Sequence, residues 1–594
     1  MDRDQREPPP HTSSNGYFVP DVTYLDPGNR RMRIVTIGAG FSGIMYAYRF
    51  QNELENVEHV IYEKNGDIGG TWLENRYPKC SCDGKLFTID IAVNDSIWKY
   101  LDRVCRVWDL RKYMQFNSRV IEATWNEDLG KWMLKVEQTY SDESTSVLED
   151  ECDVLIQATG MLNNPKLPEI QGLGSFKGRV VHTAQWPDDF TAAEWTGKKI
   201  VIVGAGSSSI QATPGMQPYA KELHVFIRSK SWLASVQPNY GLKPFKGLKK
   251  NKRVLPVITQ NWFRKHESMK QEVWKALFKD SPEQEALRSR FQQIMRDELE
   301  DETLVKGLVP DFAVGCRRTS PGRAFMQALK KPNVFPHFTA LAKVRETSVI
   351  GADGSEIADV DAIVLATGFD TTYLPRFNVV GMNGVSLRAK FTPNPDSYLG
   401  IGVPDFPNFI LTFGPTFPVL TGSVTASISA VADYAIQMIK KIQAEDLLSV
   451  CPRQDVTDQF NEHCQTMLHG TVWEDHCNSW YKRPSDGRIT AELTKGTGSA
   501  LHFQEVVRHP RWEDFHIKSR NKLNMWAFLG RGFTRTERDV NADIAPYMNV
   551  DNLDLAFYDY DRFPLRKEAA PTPSQAREQT LRPRPEAVER NGGP

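Results

Sequence analysis

The sequence has few cysteines for its length, and they are widely spaced. Only 8 occur in 594 residues, too few for the disulfide framework of a small secreted domain. The closest pair, Cys80 and Cys82, has CxC spacing and no second pair or histidine cluster that would complete a zinc site. We therefore expect no metal site, and reduced thiols in a cytoplasmic protein. A redox dithiol at this pair is the alternative.

An excess of charge of one sign and long hydrophobic runs are also missing. The net charge of −1 gives no electrostatic reason to expect nucleic acid or an anionic membrane surface as a partner. No apolar run approaches the roughly 20 residues that a transmembrane helix needs. The charged, proline-rich residues 1–16 do not resemble a secretory signal. The composition, 40% hydrophobic and 25% charged, is that of a globular protein long enough for several domains.

Strand-like and helical patterns alternate along the chain, which is typical of α/β folds. Residues 33–40 and 198–206 are each an apolar run that enters a glycine turn. We predict from them two Rossmann-like dinucleotide-binding domains. Residues 233–309 have a helical pattern instead, with Ser281 as the N-cap and Gln284 as the capping-box residue of one helix. We interpret this segment as a helical insertion.

The first glycine turn has the GxGxxG pattern, formed by Gly38, Gly40 and Gly43. Gly38 permits the tight turn, Gly40 lets the backbone approach a pyrophosphate, and Gly43 allows the helix to pack closely on the strand. Glu63 ends the next strand, where an acid binds ribose hydroxyls. Because this acid would repel a 2′-phosphate, the site favours NAD or the ADP half of FAD.

The second glycine turn keeps two glycines and has serine in the third place. Its residues are Gly204, Gly206, Ser207, Ser208 and Ser209. Serine is small enough to preserve the helix packing, and its hydroxyl can contact phosphate. Arg228 and Ser229 occupy the place of the acid, and a guanidinium there can pair with a 2′-phosphate. We predict NADPH at this site; a solvated arginine at the strand end is the alternative.

Residues 176–187, FKGRVVHTAQWP, lie between the two turns and match the pattern FxGxxxHxxxWP. The matching residues are Phe176, Gly178, His182, Trp186 and Pro187. This pattern is the fingerprint of the Baeyer–Villiger monooxygenases, and the chain resembles that family from about residue 30 to 545. It is most similar to the fungal branch that oxidises ketones in secondary metabolism. The stretches that resemble this branch are residues 314–322, 477–482 and 528–534.

The resemblance implies which cofactors are bound and which reaction follows. Gly70, Thr71 and Trp72 lie in a GGTW stretch that is similar to the flavin-contacting segment of flavoprotein monooxygenases, so FAD is expected at the first site. In the family, NADPH reduces FAD, and O2 adds at the flavin C4a to give a peroxide. The peroxide attacks a ketone, and the adduct rearranges to an ester or lactone.

The resemblance also assigns roles to individual residues. Arg318 matches the catalytic arginine, a permanent cation that would stabilise the peroxide anion and the developing oxyanion. Asp83 matches the acid that positions this arginine beside the flavin. Arg317 falls where the family has a lysine that reaches the NADP 2′-phosphate. His182 would couple movement of the NADP-binding domain to the active site, and Trp186 would be a packing anchor.

Each dinucleotide-binding domain is expected in two parts, because the ATG stretches at residues 158–160 and 366–368 look like the crossover strands of such flavoproteins. The predicted boundaries are a disordered tail 1–28, an FAD-binding domain 29–163 that resumes with the C-terminal region at 367–564, an NADP-binding domain 164–232 and 310–366, the helical insertion 233–309, and a disordered tail 565–594.

The segment after Asp83 departs from the family pattern. Ile89 stands where relatives have a tyrosine, for which Phe87 is a possible replacement, and the segment is shorter than in relatives. Lys79 replaces the usual glycine after the RYP motif. Because this region lines the flavin and the substrate entrance in the family, a catalytically impaired flavoprotein is one alternative to an active enzyme.

Another alternative is a flavin-containing monooxygenase that hydroxylates its substrate or oxidises nitrogen or sulfur. It would use the same cofactors without needing Arg318. A flavin disulfide reductase is disfavoured, because it needs a cysteine pair at CxxC or CxxxxC spacing beside the flavin. The substrates expected for the leading function are O2 and a hydrophobic ketone of polyketide or terpenoid class, given the apolar and aromatic residues 413–424 that would line the pocket.

Overall fold

The structure, a computed structural model, describes residues 16–83, 91–234, 272–418, 424–483, 486–490, 500–545 and 548. The chain divides into two compact units, Met1–Gly532 and Phe533–Pro594. In the described part of the second unit, the short helix Arg535–Arg538 begins with a capping box formed by Thr534 and Glu537. All other elements belong to the first unit.

Strands occur throughout the first unit. In chain order they are β1 Met32–Ile37, β2 Val57–Tyr62, β3 Ser81–Asp83, β4 Ile91–Val93, β5 Met114–Gln115, β6 Ser118–Asn126, β7 Lys131–Thr139, β8 Thr145–Cys152, β9 Val154–Gln157, β10 Arg179–His182, β11 Lys199–Val203, β12 Glu222–Phe226, β13 Leu233–Ala234, β14 Ser320–Pro321, β15 Val334–His337, β16 Leu341–Val344, β17 Val349–Gly351, β18 Glu356–Ile357, β19 Ala362–Leu365, β20 Asn378–Val380, β21 Phe409–Leu411, β22 Leu447–Pro452 and β23 Phe515–Ser519.

Helices lie between some of these strands. The α-helices are α1 Phe41–Glu53, α2 Thr71–Glu74, α3 Asn94–Val107, α4 Ala192–Trp195, α5 Ser207–Met216, α6 Pro282–Leu299, α7 Glu302–Leu308, α8 Arg323–Leu329, α9 Leu387–Lys390, α10 Val424–Ala444, α11 Gln454–Met467, α12 Ala500–Val506 and, in the second unit, α13 Arg535–Arg538. Short 3₁₀ helices lie at Pro27–Asn29, Leu110–Tyr113, Leu173–Ser175, Thr183–Gln185, Glu272–Leu277, Met382–Gly384, Val472–Glu474, Trp512–Asp514 and Ala527–Leu529. Among the described helices, none has both the length and the hydropathy of a membrane span.

The first large sheet has the strand order β21–β9–β1–β2–β5, and all its pairs are parallel. Both of its faces are buried. Ile34 of β1 packs into the core that contains α10, whereas Val35 packs into the core of the antiparallel strands β6, β7 and β8. Burial on two sides explains why the strand sequences are almost continuously apolar.

The second large sheet has the order β10–β19–β11–β12–β15 and is also entirely parallel. Ile200 and Val201 of β11 again belong to different cores, one on each face of the sheet. The predicted α/β class with two Rossmann-like sheets is confirmed. The domain boundaries proposed from the sequence stay predictions.

The described part of the helical insertion, residues 272–309, is helical, whereas residues 235–271 lie outside the described ranges. Ser281 caps α6 as predicted, since its Oγ accepts a hydrogen bond from the backbone N–H of Gln284 at 3.1 Å. The predicted reciprocal bond of the capping box is wrong. The Gln284 side chain instead bonds both backbone groups of Val314, accepting from its N–H at 3.0 Å and donating to its carbonyl at 2.9 Å.

The predicted N-terminal tail is too long, because residues 16–28 have defined contacts. The side-chain amide of Asn524 donates to the carbonyl oxygen of Phe18 at 2.8 Å, and Tyr24 lies with its ring 6.3 Å from that of Phe528. The aromatic side chain of Tyr24 therefore packs against the rest of the first unit, which the polar composition of the segment did not suggest. Residues 1–15 and the predicted C-terminal tail 565–594 lie outside the described ranges.

Candidate active site

The first glycine turn joins β1 to α1 and lies against strand β9. Gly38 has a φ of 110°, and a Cβ built on it would lie 2.7 Å from the carbonyl oxygen of Ala158. A Cβ on Gly43 would lie 2.0 Å from the carbonyl oxygen of Gly38, so α1 packs on the turn only because position 43 lacks a side chain. Gly40 immediately precedes α1, whose first N–H groups can receive a pyrophosphate.

Glu63 follows β2 and places its carboxylate at the same turn. Its two oxygens accept hydrogen bonds from the backbone N–H of Ala39 at 2.7 Å and of Asn65 at 2.9 Å. Burial raises the pKa of the Glu63 carboxyl, and these two backbone donors oppose the rise. The structure therefore brings the predicted acid to the first turn. Its contact with ribose hydroxyls stays a prediction.

The GGTW stretch docks directly onto the first turn. The backbone N–H of Gly69 donates to the carbonyl oxygen of Ala39 at 3.0 Å, and a Cβ on Gly70 would lie 3.1 Å from the Cα of Gly40. Thr71 begins helix α2. Trp72 packs against two hydrophobic cores, one beside the first glycine turn and one beside the second sheet. The GGTW stretch therefore contacts both halves of the molecule.

The second glycine turn joins β11 to α5 and repeats the geometry of the first. Gly204 has a φ of 123°, and a Cβ on it would lie 2.5 Å from the carbonyl oxygen of Ala366. Ser207 Oγ lies 3.0 Å from Ser320 Oγ, and Ser208 lies beside the Tyr77 hydroxyl.

Ser209 takes the packing role of the third glycine but not the phosphate contact predicted for it. Its side chain is fully buried, and its hydroxyl has no hydrogen-bond partner among the residues that the structure describes. A hydroxyl enclosed between helix and sheet is not accessible to a bound phosphate. The position therefore serves helix packing alone.

Two arginines lie at the second turn without a carboxylate to neutralise them. Arg317 Nη1 donates to the carbonyl oxygen of Lys230 at 3.3 Å, and its other terminal nitrogen lies 3.6 Å from a Cβ built on Gly206. Burial lowers the pKa of Arg317, and the charge of Arg228 lowers it further. Arg228 is exposed beside half-buried Ser229. Among the described residues, neither arginine forms an ion pair, which leaves both charges available to an anion.

The segment that follows GGTW bridges to the second turn. Gln211 of α5 accepts hydrogen bonds from the Tyr77 hydroxyl at 3.1 Å and the Ser81 N–H at 3.2 Å, and it donates to the Ser81 carbonyl at 3.1 Å. A Cβ on Gly215 would lie 2.6 Å from the Cβ of Pro78. Gln211 was not among the site residues predicted from the sequence. The signal for it was a single amide on a helix otherwise composed of small and apolar residues.

The fingerprint segment lies on the edge strand of the second sheet. A Cβ on Gly178 would lie 2.4 Å from the carbonyl oxygen of Asp361, so β10 approaches its neighbour closely only with glycine there. Phe176 is half-buried against the core on that face.

His182 and Trp186 are both buried and both bonded to backbone. His182 Nδ1 accepts from the N–H of Ala184 at 3.1 Å, and its ring lies edge-on to Phe369 with a centroid distance of 6.5 Å. Burial lowers the pKa of His182, which keeps the imidazole neutral. Trp186 donates from its indole N–H to the carbonyl of Phe190 at 2.9 Å. Pro187 follows and lines a cleft of about 570 Å³, together with residues 64–67, Leu73, Glu74 and Arg76.

The two ATG stretches lead into segments that pair with each other. The backbone N–H of Asp370 donates to the carbonyl of Asn164 at 2.7 Å, and that of Lys166 donates to the carbonyl of Gly368 at 2.9 Å. The chain therefore enters and leaves the second sheet through one two-stranded connection. His182 lies against this connection, next to Gly368 and Phe369.

Cys316 and Cys477 form a disulfide, which the expectation of reduced thiols did not foresee. Their Cα atoms lie 6.1 Å apart although 161 residues separate them in sequence, and sequence spacing alone does not reveal such a pairing. Cys80 and Cys82 do not form a disulfide with each other, and the alternative of a redox dithiol at that pair stays a prediction.

Known proteins are similar to this chain in sequence and in fold. The profile of a family described as flavin-binding monooxygenase-like matches residues 88–310, and that of an NAD(P)-binding Rossmann-like domain matches residues 36–104. The FAD-binding monooxygenase moxY of Dothistroma septosporum is 43% identical over 565 residues, covering 92% of this chain and 90% of its own.

A Baeyer–Villiger monooxygenase of Streptomyces coelicolor is 28% identical over 532 residues, covering 87% of this chain and 98% of its own. The crystal structure of OTEMO in complex with FAD and NADP superimposes with a TM-score of 0.69 at 23% identity, over 82% of this chain and 99% of that one. The chain belongs to the FAD-binding monooxygenases, the family that includes the Baeyer–Villiger monooxygenases.

FAD and NADPH are the cofactors of this monooxygenase, and the two turns fit them. The glycines of the first turn leave room that a Cβ would fill, and Glu63 at its edge disfavours a 2′-phosphate. The second turn has Arg228 and Arg317 in place of an acid. A dinucleotide with a 2′-phosphate therefore fits the second site and not the first.

The predicted catalytic pair is only partly described. Arg318 is exposed next to Arg317, and it forms no ion pair with any residue within the described ranges. Asp83 ends strand β3, which pairs with β4, and the structure does not describe its side chain. The pairing of Arg318 with Asp83 stays a prediction.

The departure after Asp83 begins in residues 84–90, which lie outside the described ranges, whereas the substituted Lys79 before it is described. Lys79 has a φ of 62°, the left-handed conformation that favours glycine. Lys79 therefore adopts a backbone conformation that glycine adopts without strain. Phe87 and Ile89 lie outside the described residues.

Proposed function

We propose that this enzyme is a Baeyer–Villiger monooxygenase that uses NADPH and O2 to insert one oxygen atom next to the carbonyl of a hydrophobic ketone, giving an ester or lactone. The observation that carries the proposal is the single loop that presents Arg317 to the second turn and Arg318, beside it, to solvent. Nucleotide recognition and oxyanion stabilisation would thus be assigned to adjacent residues.

The protein's own contribution is positioning and charge. FAD, when bound, supplies the electron transfer from NADPH and the activation of O2. Arg318 would stabilise negative charge on the reacting oxygen atoms, a role that suits a guanidinium because it stays protonated. Asp83 would orient Arg318. Arg228 and Arg317 would hold the 2′-phosphate of NADPH through paired hydrogen bonds.

His182 would couple the movements of the two sheets rather than act as a general base. Its Nδ1 lone pair accepts a hydrogen bond from a backbone N–H, and burial lowers its pKa, so the ring is a poor proton acceptor. Because it lies against the paired connection between the two sheets, it would transmit movement of the second sheet to the first site.

The substrate class rests on the chain's relatives and on chemistry. Residues 413–418 include two phenylalanines, Phe413 and Phe417, whose rings lie 4.8 Å apart. Phe417 is fully buried in the core, so within residues 413–418 the half-buried Phe413 is the aromatic side chain that would contact a ketone of the polyketide or terpenoid type. The similarity to fungal moxY supports a place in secondary-metabolite biosynthesis.

Product analysis tests the proposal. The purified, FAD-loaded enzyme is supplied with NADPH, labelled O2 and a panel of cyclic and aryl ketones, and products are identified by mass spectrometry and NMR. We expect an ester or lactone with one labelled oxygen atom, formed in proportion to the NADPH consumed. A hydroxylated product, or an N- or S-oxide from amine and sulfide substrates with no ester from any ketone, would establish the sibling monooxygenase reaction instead.

An impaired flavoprotein predicts a different result. It would bind FAD and turn yellow, yet its consumption of NADPH would not depend on any ketone. Coupled consumption of NADPH and ketone therefore separates an active enzyme from a remnant.

A further inference from the structure

The loop that carries the two arginines has no helix or strand of its own. Residues 311–318 lie between α7 and β14. Side chains from elsewhere hold its backbone: Gln284 bonds both groups of Val314, and the indole N–H of Trp232 donates to the carbonyl of Phe312 at 3.1 Å. A loop without an internal hydrogen-bond ladder takes its shape from such contacts.

The other side of the loop is held by residues 475–482, here called the 475–482 segment. Asp475 Oδ2 accepts a hydrogen bond from the backbone N–H of Ala313 at 2.7 Å. Cys477 forms the disulfide with Cys316, the residue directly before Arg317. The disulfide therefore attaches the 475–482 segment to the residue next to Arg317.

The 475–482 segment is itself fixed in place. Lys482 Nζ donates to the carbonyl oxygen of Asp475 and lies 3.6 Å from Cys316 Sγ. His476 lies 2.7 Å from Asp475 Oδ1 and 3.3 Å from Asp311 Oδ1. Hydrogen bonds to these two carboxylates raise the pKa of His476, which favours the charged form that bridges them.

Arg317 depends on this anchorage because its own contacts are weak. Its one described hydrogen bond goes to a backbone carbonyl, that of Lys230, at 3.3 Å. Burial lowers the pKa of Arg317, and the nearby charge of Arg228 lowers it further. A partly desolvated guanidinium of this kind stays in place only if its backbone is held there.

We propose that the Cys316–Cys477 disulfide is a positioning element for nucleotide recognition. It holds Arg317 at the second glycine turn and thereby sets the preference for a dinucleotide that carries a 2′-phosphate. The inference rests on the proposed function in one respect, the assignment of the 2′-phosphate to Arg228 and Arg317.

The variant Cys477→Ser tests the inference by separating two affinities. Dissociation constants for NADP⁺ and NAD⁺ are measured by isothermal titration calorimetry on the FAD-loaded protein, without any ketone. Because the proposed function assigns Arg317 to the 2′-phosphate, we expect NADP⁺ to bind about tenfold more weakly, with the affinity for NAD⁺ unchanged. The KM for NADPH should rise by the same factor, and kcat for NADPH oxidation should stay the same.

Cys464→Ser is the matched control. Cys464 is fully buried in α11 and forms no disulfide, so the same exchange tests the effect of a polar atom in the core without touching the arginine loop. We expect both affinities of this variant to equal those of the unaltered protein.

Reduction of the unaltered protein provides a second route if Cys477→Ser does not accumulate in folded form. A water-soluble phosphine converts the disulfide into two thiols while it becomes a phosphine oxide with the oxygen of one water molecule. Peptide mapping without reductant confirms the crosslink before treatment, and flavin content confirms the fold after it. The reduced protein should show the same selective loss of NADP⁺ affinity.

Equal weakening of NADP⁺ and NAD⁺, or no change in either, would refute the inference. So would free thiols at both cysteines in protein that prefers NADP⁺ over NAD⁺. Failure of the proposed function is a separate result, because ester formation is measured with ketone, whereas this preference is measured without it.

Discussion

At position 79 a lysine holds a backbone conformation that favours glycine. Its φ is 62°, its side chain is exposed, and the next residue, Cys80, is buried in the core of the second sheet. The substitution therefore costs conformational energy without changing the course of the chain. This accounts for how the segment keeps its place against α5 despite the departure in sequence.

Lys79→Gly should stabilise the protein. Glycine removes the strain of the left-handed conformation and loses part of that gain in chain entropy, so we expect an increase of about 0.5–1 kcal/mol in the free energy of unfolding. Thermal unfolding followed by flavin fluorescence measures the change. Lys79→Ala keeps the strained φ and removes the same side chain, so a similar gain in that control would contradict the explanation.

Arg318→Ala should separate NADPH consumption from oxygen insertion. Flavin reduction by NADPH needs no oxyanion stabilisation and should continue, whereas ester formation should fall by about 10²–10³-fold, the usual cost of losing such a donor. Stopped-flow absorbance measures the first rate and product analysis the second. The control Arg388→Ala removes another exposed arginine, from helix α9, and should change neither. Full ester formation by Arg318→Ala would remove this residue from the mechanism.

Single residues at the glycine turns are predictable from sequence because their constraints are local. The positions of Gly38, Gly43 and Gly204 follow from a pattern a few residues long, and the structure shows the close approaches that require them. Ser209 shows the limit of such reasoning. Its small size is readable from sequence, but whether its hydroxyl faces a ligand or the core depends on packing that the pattern does not contain.

The helices and strands that were predicted are those with strong local patterns, and the missed contacts join elements distant in sequence. Ser281 was predicted as an N-cap from a local sequence pattern, and the structure confirms it. The side chain of Gln284 is used instead to bind Val314, 30 residues away, and Cys316 pairs with a partner 161 residues away. Local preference does not determine which of two compatible partners a side chain binds, because tertiary packing makes that choice.

Helix α5 and the segment before β3 form the link between the two nucleotide sites. Gln211 makes three hydrogen bonds to this segment, two of them to Ser81. Tyr77 and Cys80 add apolar burial in the core of the second sheet. Residues 77–81, which precede the segment that departs from the family pattern, are thus attached to α5, the helix that follows the second turn.

Gln211→Leu should weaken this link. It leaves the Ser81 N–H without its described acceptor, at a cost of about 1–3 kcal/mol, and should lower the unfolding temperature. Hydrogen exchange measured by mass spectrometry should show faster exchange in residues 77–83. The control is Gln293→Leu, which removes an exposed glutamine of helix α6. If residues 77–83 lost protection equally in both variants, or in neither, the hydrogen bonds of Gln211 would not be needed to hold them.

On the scale of the whole molecule, the N-terminal residues 16–29 are held by residues 521–532. Gly530 has a φ of 55°, and a Cβ on it would lie 1.9 Å from the carbonyl oxygen of Val22. Together with the bond from Asn524 to Phe18, this contact fixes the start of the described chain beside the end of the first unit.

Gly530→Ala should release the N-terminal residues. The added methyl group cannot fit against Val22, and overpacking of this kind costs about 1–3 kcal/mol. Limited proteolysis should then cleave within residues 16–29 faster than in the unaltered protein. Gly470→Ala is the matched control, since Gly470 has a φ of 73° but no neighbour within 4 Å of a built Cβ. Equal cleavage in both variants would assign the effect to backbone strain instead of the lost contact.

The paired connection at residues 164–166 and 368–370 has a consequence for how the molecule is assembled. Both ends of the intervening chain, which contains the whole second sheet, meet at adjacent hydrogen-bonded positions. A segment of chain whose two ends lie side by side has the topology of a domain inserted into a loop of another domain. We therefore expect the part that contains the second sheet to be exchangeable between relatives as one unit with two adjacent junctions, leaving the first sheet continuous on either side of the cut.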